Sequence, residues 1–211
     1  MELTLNDISK SFNREPIIQN LYLKVESGTT VGIVGENGSG KSTLLKIIAG
    51  IIWPENGFGF LNEKPIFNRE PGVRSQLIYW GHNPDLYQNM TAYENLNLFL
   101  NLRGESRKIK IINEAINSVK LGEAFNKTIA EYSEGMIQRY HIARFKLSIW
   151  KFGVFDEPTN GLDEDGIEVL NEAFKEFKEK RKTLLISSHD QNFLKTHCDK
   201  IYKMENGKLV E

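Results

Sequence analysis

Apolar and polar residues alternate with a period of two near the start of the chain, at Leu3, Leu5 and Ile8 and again at Leu21, Leu23 and Val25. Successive side chains of a strand point to opposite faces, so the pattern predicts half-buried strands and an antiparallel β layer that opens the fold. Residues 30–34 form a different kind of run, apolar and β-branched, which ends in the glycine-rich stretch 35–40 before the helix-compatible stretch 41–49. That order predicts strand, loop and helix. A second buried strand is expected at 76–80. Thr91, with Glu94 three residues later, forms a capping box ahead of the helical apolar positions Leu96, Phe99 and Leu100. From about 91 to 147 the chain reads almost entirely helical. Strand-like runs return at 152–155 and 183–187, and between them Ile167, Leu170, Phe174 and Phe177 fall on one helical face. Strands alternating with helices predict a mostly parallel sheet, and Asn206-Gly207 within 200–210 predicts a closing hairpin. The expectation is a single α/β domain over 1–211 with an N-terminal antiparallel layer and a helical insertion at about 91–147.

Composition narrows the function. Of 211 residues, 40% are hydrophobic and 26% charged, which fits a packed globular core and excludes disordered or collagen-like chains. Lys plus Arg number 27 against 28 for Asp plus Glu, so there is no net basic field to hold nucleic acid, and any phosphate has to be captured locally. The apolar runs fall far short of the roughly 20 residues that span a bilayer, and MELTLNDISK does not read as a signal peptide. The chain therefore reads as soluble and cytoplasmic. Cys198 is the single cysteine and reads as a small packed thiol; His141 and His197 have no metal-ligand spacing and read as surface or packing residues. The mixed charges of 176–182 read as the solvated exterior of a helix.

Gly35, Glu36, Asn37, Gly38, Ser39, Gly40, Lys41, Ser42 and Thr43 fit a phosphate loop: Gly, four residues, then Gly-Lys-Ser, between a strand and a helix. Glycines let backbone N–H groups converge on phosphate, the helix N-terminus adds its dipole, Lys41 reaches the β and γ phosphates, and the Ser42 hydroxyl suits Mg²⁺. Asp156 and Glu157 end the strand at 152–155, where open α/β sheets bind ligands. Asp156 is placed to hold Mg²⁺ and Glu157 to polarise an attacking water.

With these motifs on the page, the chain resembles the ATP-binding subunits of ABC transporters along essentially its whole length. Tyr132-Ser133-Glu134-Gly135-Met136 resembles the family signature, Asn160-Gly161-Leu162-Asp163 its D-loop, and His189 in Ser187-Ser188-His189-Asp190 its switch histidine. The resemblance implies ATP and Mg²⁺ as cofactors and a head-to-tail dimer, either of two copies or with a paired ATPase subunit. In it Ser133 and the Gly135 N–H would cover the γ-phosphate held by the other protomer. His189 would hydrogen-bond that phosphate. Phe12 stands where the family stacks adenine, and a core packing role is its rival reading. The resemblance also implies integral membrane partners, a peripheral place on the cytoplasmic side of the membrane, and a docking surface over 86–99.

Two departures colour the resemblance. His82 stands where the family usually has Gln; nitrogen suits Mg²⁺ poorly, which leaves His82 a coupling role toward a partner. The stretch around it, with Leu86-Tyr87 and Thr91 to Leu96, is similar to the ATPase of the haem exporter of cytochrome c maturation. Glu134 and Met136 replace Gly and Gln in the signature, a form similar to ABC-2-type exporters, which supplies the alternative. An ATP sensor without catalysis would lack Glu157 or His189, a non-transport ABC protein would need a second domain or a coiled coil, and no Asn-Lys-x-Asp guanine motif is present.

Overall fold

Two sheets divide the strand patterns between them. The computed structural model describes residues 1–67, 71–81 and 86–210. In chain order the first elements are β1 (Leu3–Phe12), β2 (Glu15–Val25), β3 (Thr30–Val34), α1 (Lys41–Ile48), β4 (Asn56–Leu61) and β5 (Lys64–Pro65). Next come α2 (Pro71–Arg74), β6 (Leu77–Trp80), α3 (Ala92–Leu102), α4 (Ile109–Ser118) and α5 (Glu134–Leu147). The chain ends with β7 (Phe152–Asp156), α6 (Glu164–Glu179), β8 (Thr183–Ser187), α7 (Gln191–His197), β9 (Lys200–Glu205) and β10 (Lys208–Val210). The structure is α/β, as the alternation of patterns predicts.

The period-2 residues lie in an antiparallel sheet of order β2-β1-β4-β5. Leu3 pairs with Val25 and Leu5 with Leu23, and all four are buried. Asn13 and Arg14 turn the hairpin with positive φ at both positions, the twist that matches two paired strands. Strand β4 escapes the sequence reading because glycines interrupt its alternation. Gly57 holds φ at +92°, and a Cβ there would strike the Asp7 carbonyl oxygen, so the close approach to β1 requires glycine.

The continuous apolar runs build a second sheet of order β10-β9-β3-β8-β7-β6. β3 pairs in parallel with β8 and β9, and β7 with β6 and β8. Val34, Trp80, Asp156 and Ser187 therefore end their strands along one edge. Every residue of β7 and β8 is buried, which is why those runs are apolar without alternation. One hydrophobic cluster joins Leu3, Leu5 and Ile8 to Ile33, Leu44, Leu45, Val154 and Leu185. Each such side chain contributes about 1.5–3 kcal/mol on burial, so the helix behind the phosphate loop is anchored at every turn.

The chain forms two compact units. The first comprises Met1–His82, Trp150–Pro158 and Phe177–Glu211 and contains both sheets; the second comprises Asn83–Ile149 and Thr159–Glu176 and is helical. In the second unit α4 packs against α3 and α5, with Ile112 and Ile116 one turn apart and both buried. The capping box at Thr91 is formed: its hydroxyl accepts the Glu94 N–H while the Glu94 carboxylate accepts the Thr91 N–H at 2.8 Å. A second box, Thr128 with Glu131, was not foreseen. The charged stretch 176–182 is a helix exterior only to Glu179; Lys182 instead donates to the Trp150 carbonyl at 2.9 Å, with its ammonium 3.8 Å above the indole. Among the described residues no helix is long and apolar enough to cross a membrane.

Candidate functional site

The phosphate-loop residues lie where the strand edge predicts. Gly35 to Gly40 connect β3 to α1, and Lys41, Ser42 and Thr43 open the helix. Gly40 is the N-cap of α1 with φ +105°, and a Cβ on it would come within 2.9 Å of Met204 and 3.1 Å of the Ile17 carbonyl oxygen. A larger residue would push the loop off its support. Lys41 is buried, and its Nζ donates to the carbonyl oxygens of Gly35 at 2.7 Å and Glu36 at 2.9 Å. The ammonium is thereby held inside the loop, where it and the loop N–H groups are donors for an arriving anion. Beside the loop lies a cleft of 590 Å³, floored by Glu36 to Ser39 and walled by Pro16, Ile17 and the β9–β10 hairpin.

Asp156 and Glu157, adjacent in sequence, face different partners. The Asp156 Oδ1 accepts the Ser42 hydroxyl at 3.1 Å and the Ser187 hydroxyl at 2.7 Å, and the Tyr79 hydroxyl stands 3.5 Å from Oδ2. Glu157 turns away because its backbone adopts φ +52°, a left-handed conformation that costs a non-glycine residue about 1–2 kcal/mol. Its N–H donates to the Ser187 carbonyl at 3.0 Å, and its Oε2 meets His189 Nδ1 at 2.8 Å and the His189 N–H at 3.2 Å. A carboxylate only accepts, so Nδ1 carries the proton of that bond, and Nε2 is left for an outside partner. Glu157 is buried whereas the His189 side chain is 64% exposed.

Phe12 ends β1 with 45% of its surface exposed and the Lys10 ammonium 5.3 Å from its ring centroid. That exposure removes the core-packing alternative. His82 lies outside the described residues.

The signature and D-loop residues belong to the helical unit. Ser133 is the N-cap of α5, its hydroxyl accepting the Met136 N–H at 3.3 Å, and Gly135 falls in the first turn, where N–H groups lack intrahelical acceptors. Asp163 Oδ1 accepts the Gly166 N–H at 2.8 Å at the start of α6, and its Oδ2 lies 3.7 Å from the Arg139 guanidinium. Arg139 belongs to the stretch that resembles the signature, but nothing in the sequence reveals its partner. Asn95 was missed too. Its buried amide donates to the carbonyls of Tyr87, Met90 and Thr91 and its oxygen accepts the Tyr87 N–H, so it organises the segment that enters α3.

The three residues read as bland stay bland. His141 is fully buried and His197 half-buried, which fits packing positions. Burial, with the nearby Asp199 charge, pushes the Cys198 thiol up to about 12, which disfavours the thiolate.

Comparison with known proteins gives the family. The ABC transporter family profile matches residues 18–160. The lantibiotic transport ATP-binding protein SrtF of Streptococcus pyogenes is 31% identical over 208 residues, 99% of this chain and 89% of its own length. The bacitracin transport ATP-binding protein BcrA of Bacillus licheniformis is 32% identical over 97% of this chain and 67% of its own length. The solved dimeric structure of a bacterial ABC transporter cassette superposes with a TM-score of 0.89 over 99% of this chain and 97% of the cassette, at 24% identity, and shares its fold. The chain is an ATP-binding domain of the ABC transporter family and an ABC ATPase.

Proposed function

We propose that the chain hydrolyses ATP to drive a cargo through separate membrane subunits, acting as a dimer in which each nucleotide is shared by two protomers. The observation that carries this reading is the strand edge itself: phosphate loop, Asp156 and the Glu157–His189 pair end neighbouring parallel strands. The loop N–H groups and Lys41 bind the phosphates. Ser42 and Asp156 offer the hard oxygen donors that suit Mg²⁺, already 3.1 Å apart; the ion would supply charge neutralisation on the phosphates. Glu157 accepts a proton from the attacking water, and His189 holds the Glu157 carboxylate in place while its Nε2 faces the γ-phosphate. Phe12 stacks on adenine. Ser133 and the Gly135 N–H, at the positive end of α5, cover the γ-phosphate of the facing protomer.

Family membership supports integral membrane partners for the chain. On this reading the chain sits at the cytoplasmic face of the membrane, with 86–99 as the docking surface. Tyr87, highly exposed, is a ready contact. For the cargo, the named relatives serve lantibiotic and bacitracin transport, which favours the ABC-2-type exporter reading over haem export and cytochrome c assembly. The test of the ATPase reading is Lys41→Ala. Nucleotide binding and hydrolysis should both be lost, since no other cation of the motif reaches the β and γ phosphates; unchanged values overturn the reading. Export of a peptide antibiotic against export of haem, measured with the cognate membrane subunits, decides the cargo.

A further inference from the structure

Ser187 was read from the sequence only as a neighbour of His189, yet it touches both carboxylate residues of the site. It ends β8 with 0% exposure. Its hydroxyl donates to Asp156 Oδ1 at 2.7 Å, and the same oxygen atom accepts the Glu157 N–H at 3.2 Å. A hydroxyl has one proton, so these directions are fixed: the proton goes to the carboxylate and a lone pair to the amide. Such bonds are not interchangeable with packing. A valine would suit a fully buried strand end at least as well, but would leave Asp156 Oδ1 with the Ser42 hydroxyl alone. Glu157, in turn, holds a positive φ that persists only when its surroundings over-determine it. Ser187 supplies two of the constraints, its carbonyl and its hydroxyl.

We propose that Ser187 is a positioning residue for ATP hydrolysis: through one hydroxyl it aims the Asp156 carboxylate at Ser42 and pins the backbone that delivers Glu157 to His189. This rests on the reading of Asp156 as metal-holding and Glu157 as base. Orienting partners one shell out from a metal set its affinity and the activity that depends on it, so the effect should appear in both.

The experiment compares wild type with Ser187→Ala, Ser187→Thr and Asp156→Asn in the full chain. It follows Mn²⁺ binding by electron paramagnetic resonance in the presence of excess ADP, ATP turnover and thermal unfolding. Ser187→Ala should weaken Mn²⁺ binding and lower kcat by about 10- to 100-fold each. Its KM for ATP should stay near wild type because the phosphate loop is untouched. Ser187→Thr, which restores the hydroxyl, should recover both. Mn²⁺ affinity and kcat that stay at the wild-type level in Ser187→Ala overturn the proposal, as does a Thr variant that folds but fails as Ala does. If Ser187→Ala does not fold, Ser187→Cys, of similar volume and a weak donor, gives the same comparison with the same two readings. An Asp156→Asn chain with undiminished Mn²⁺ affinity sinks the underlying reading instead, which separates the two failures.

Discussion

Phe12 and Glu157 show how single residues divide between what a sequence reveals and what only coordinates supply. An aromatic at the end of a strand serves a core and a ligand equally well on paper; exposure decides, and Phe12 is exposed at the end of β1. Base-on-ring stacking contributes about 1–3 kcal/mol by alanine substitution. Phe12→Ala should therefore weaken ATP binding roughly 5- to 150-fold, and Phe12→Tyr should leave it near wild type. Titration calorimetry with a slowly hydrolysed ATP analogue checks it; equal affinities for all three chains would remove the stacking role. For Glu157 the sequence shows a carboxylate at a strand end, but not the positive φ that swings it from Asp156 to His189.

At the scale of elements, α5 carries both function and a liability. Ser133 caps it and its first turn holds Gly135, while its middle buries His141 beside Tyr140 and Phe145, with ring centroids 5.7 and 6.5 Å away. Burial drives the His141 imidazole well below its usual range, and the Arg144 guanidinium adds to the effect. The unfolded chain binds that proton below about pH 6.5 while the folded chain does not, so stability is full above that pH and falls as the pH drops through it. Half-buried His197, also lowered by burial, acts in the same direction. Urea unfolding at pH 7.5 and 5.5 should show a loss of stability on acidification that is smaller in His141→Leu; an identical loss in both chains would show that His141 does not contribute. Elements with strong patterns were legible: both early strands, the phosphate-loop helix, the Thr91 box and the closing hairpin. β4 was not, because its glycines serve a close backbone approach rather than a pattern, and Lys182 was not, because its partner Trp150 is distant in sequence. The same reason hid Ser187: hydrogen bonds across parallel strands leave no local signature.

For the whole molecule, the legible part is the family and the order of its motifs; the partners are read from chemistry. A phosphate loop open on one side and a helix N-terminus with a capping serine are complementary surfaces, and they lie in different compact units of the chain. We propose that they meet across a dimer, so that ATP joins two protomers and Glu157 lets them part. Sedimentation of Glu157→Gln with MgATP and with MgADP tests it most directly. The expected result is a dimer with MgATP alone, turnover lowered by about 10²–10⁴, and a return to monomer when Ser133→Arg is added. A chain that stays monomeric with MgATP and still hydrolyses it at the wild-type rate would rule out the shared site.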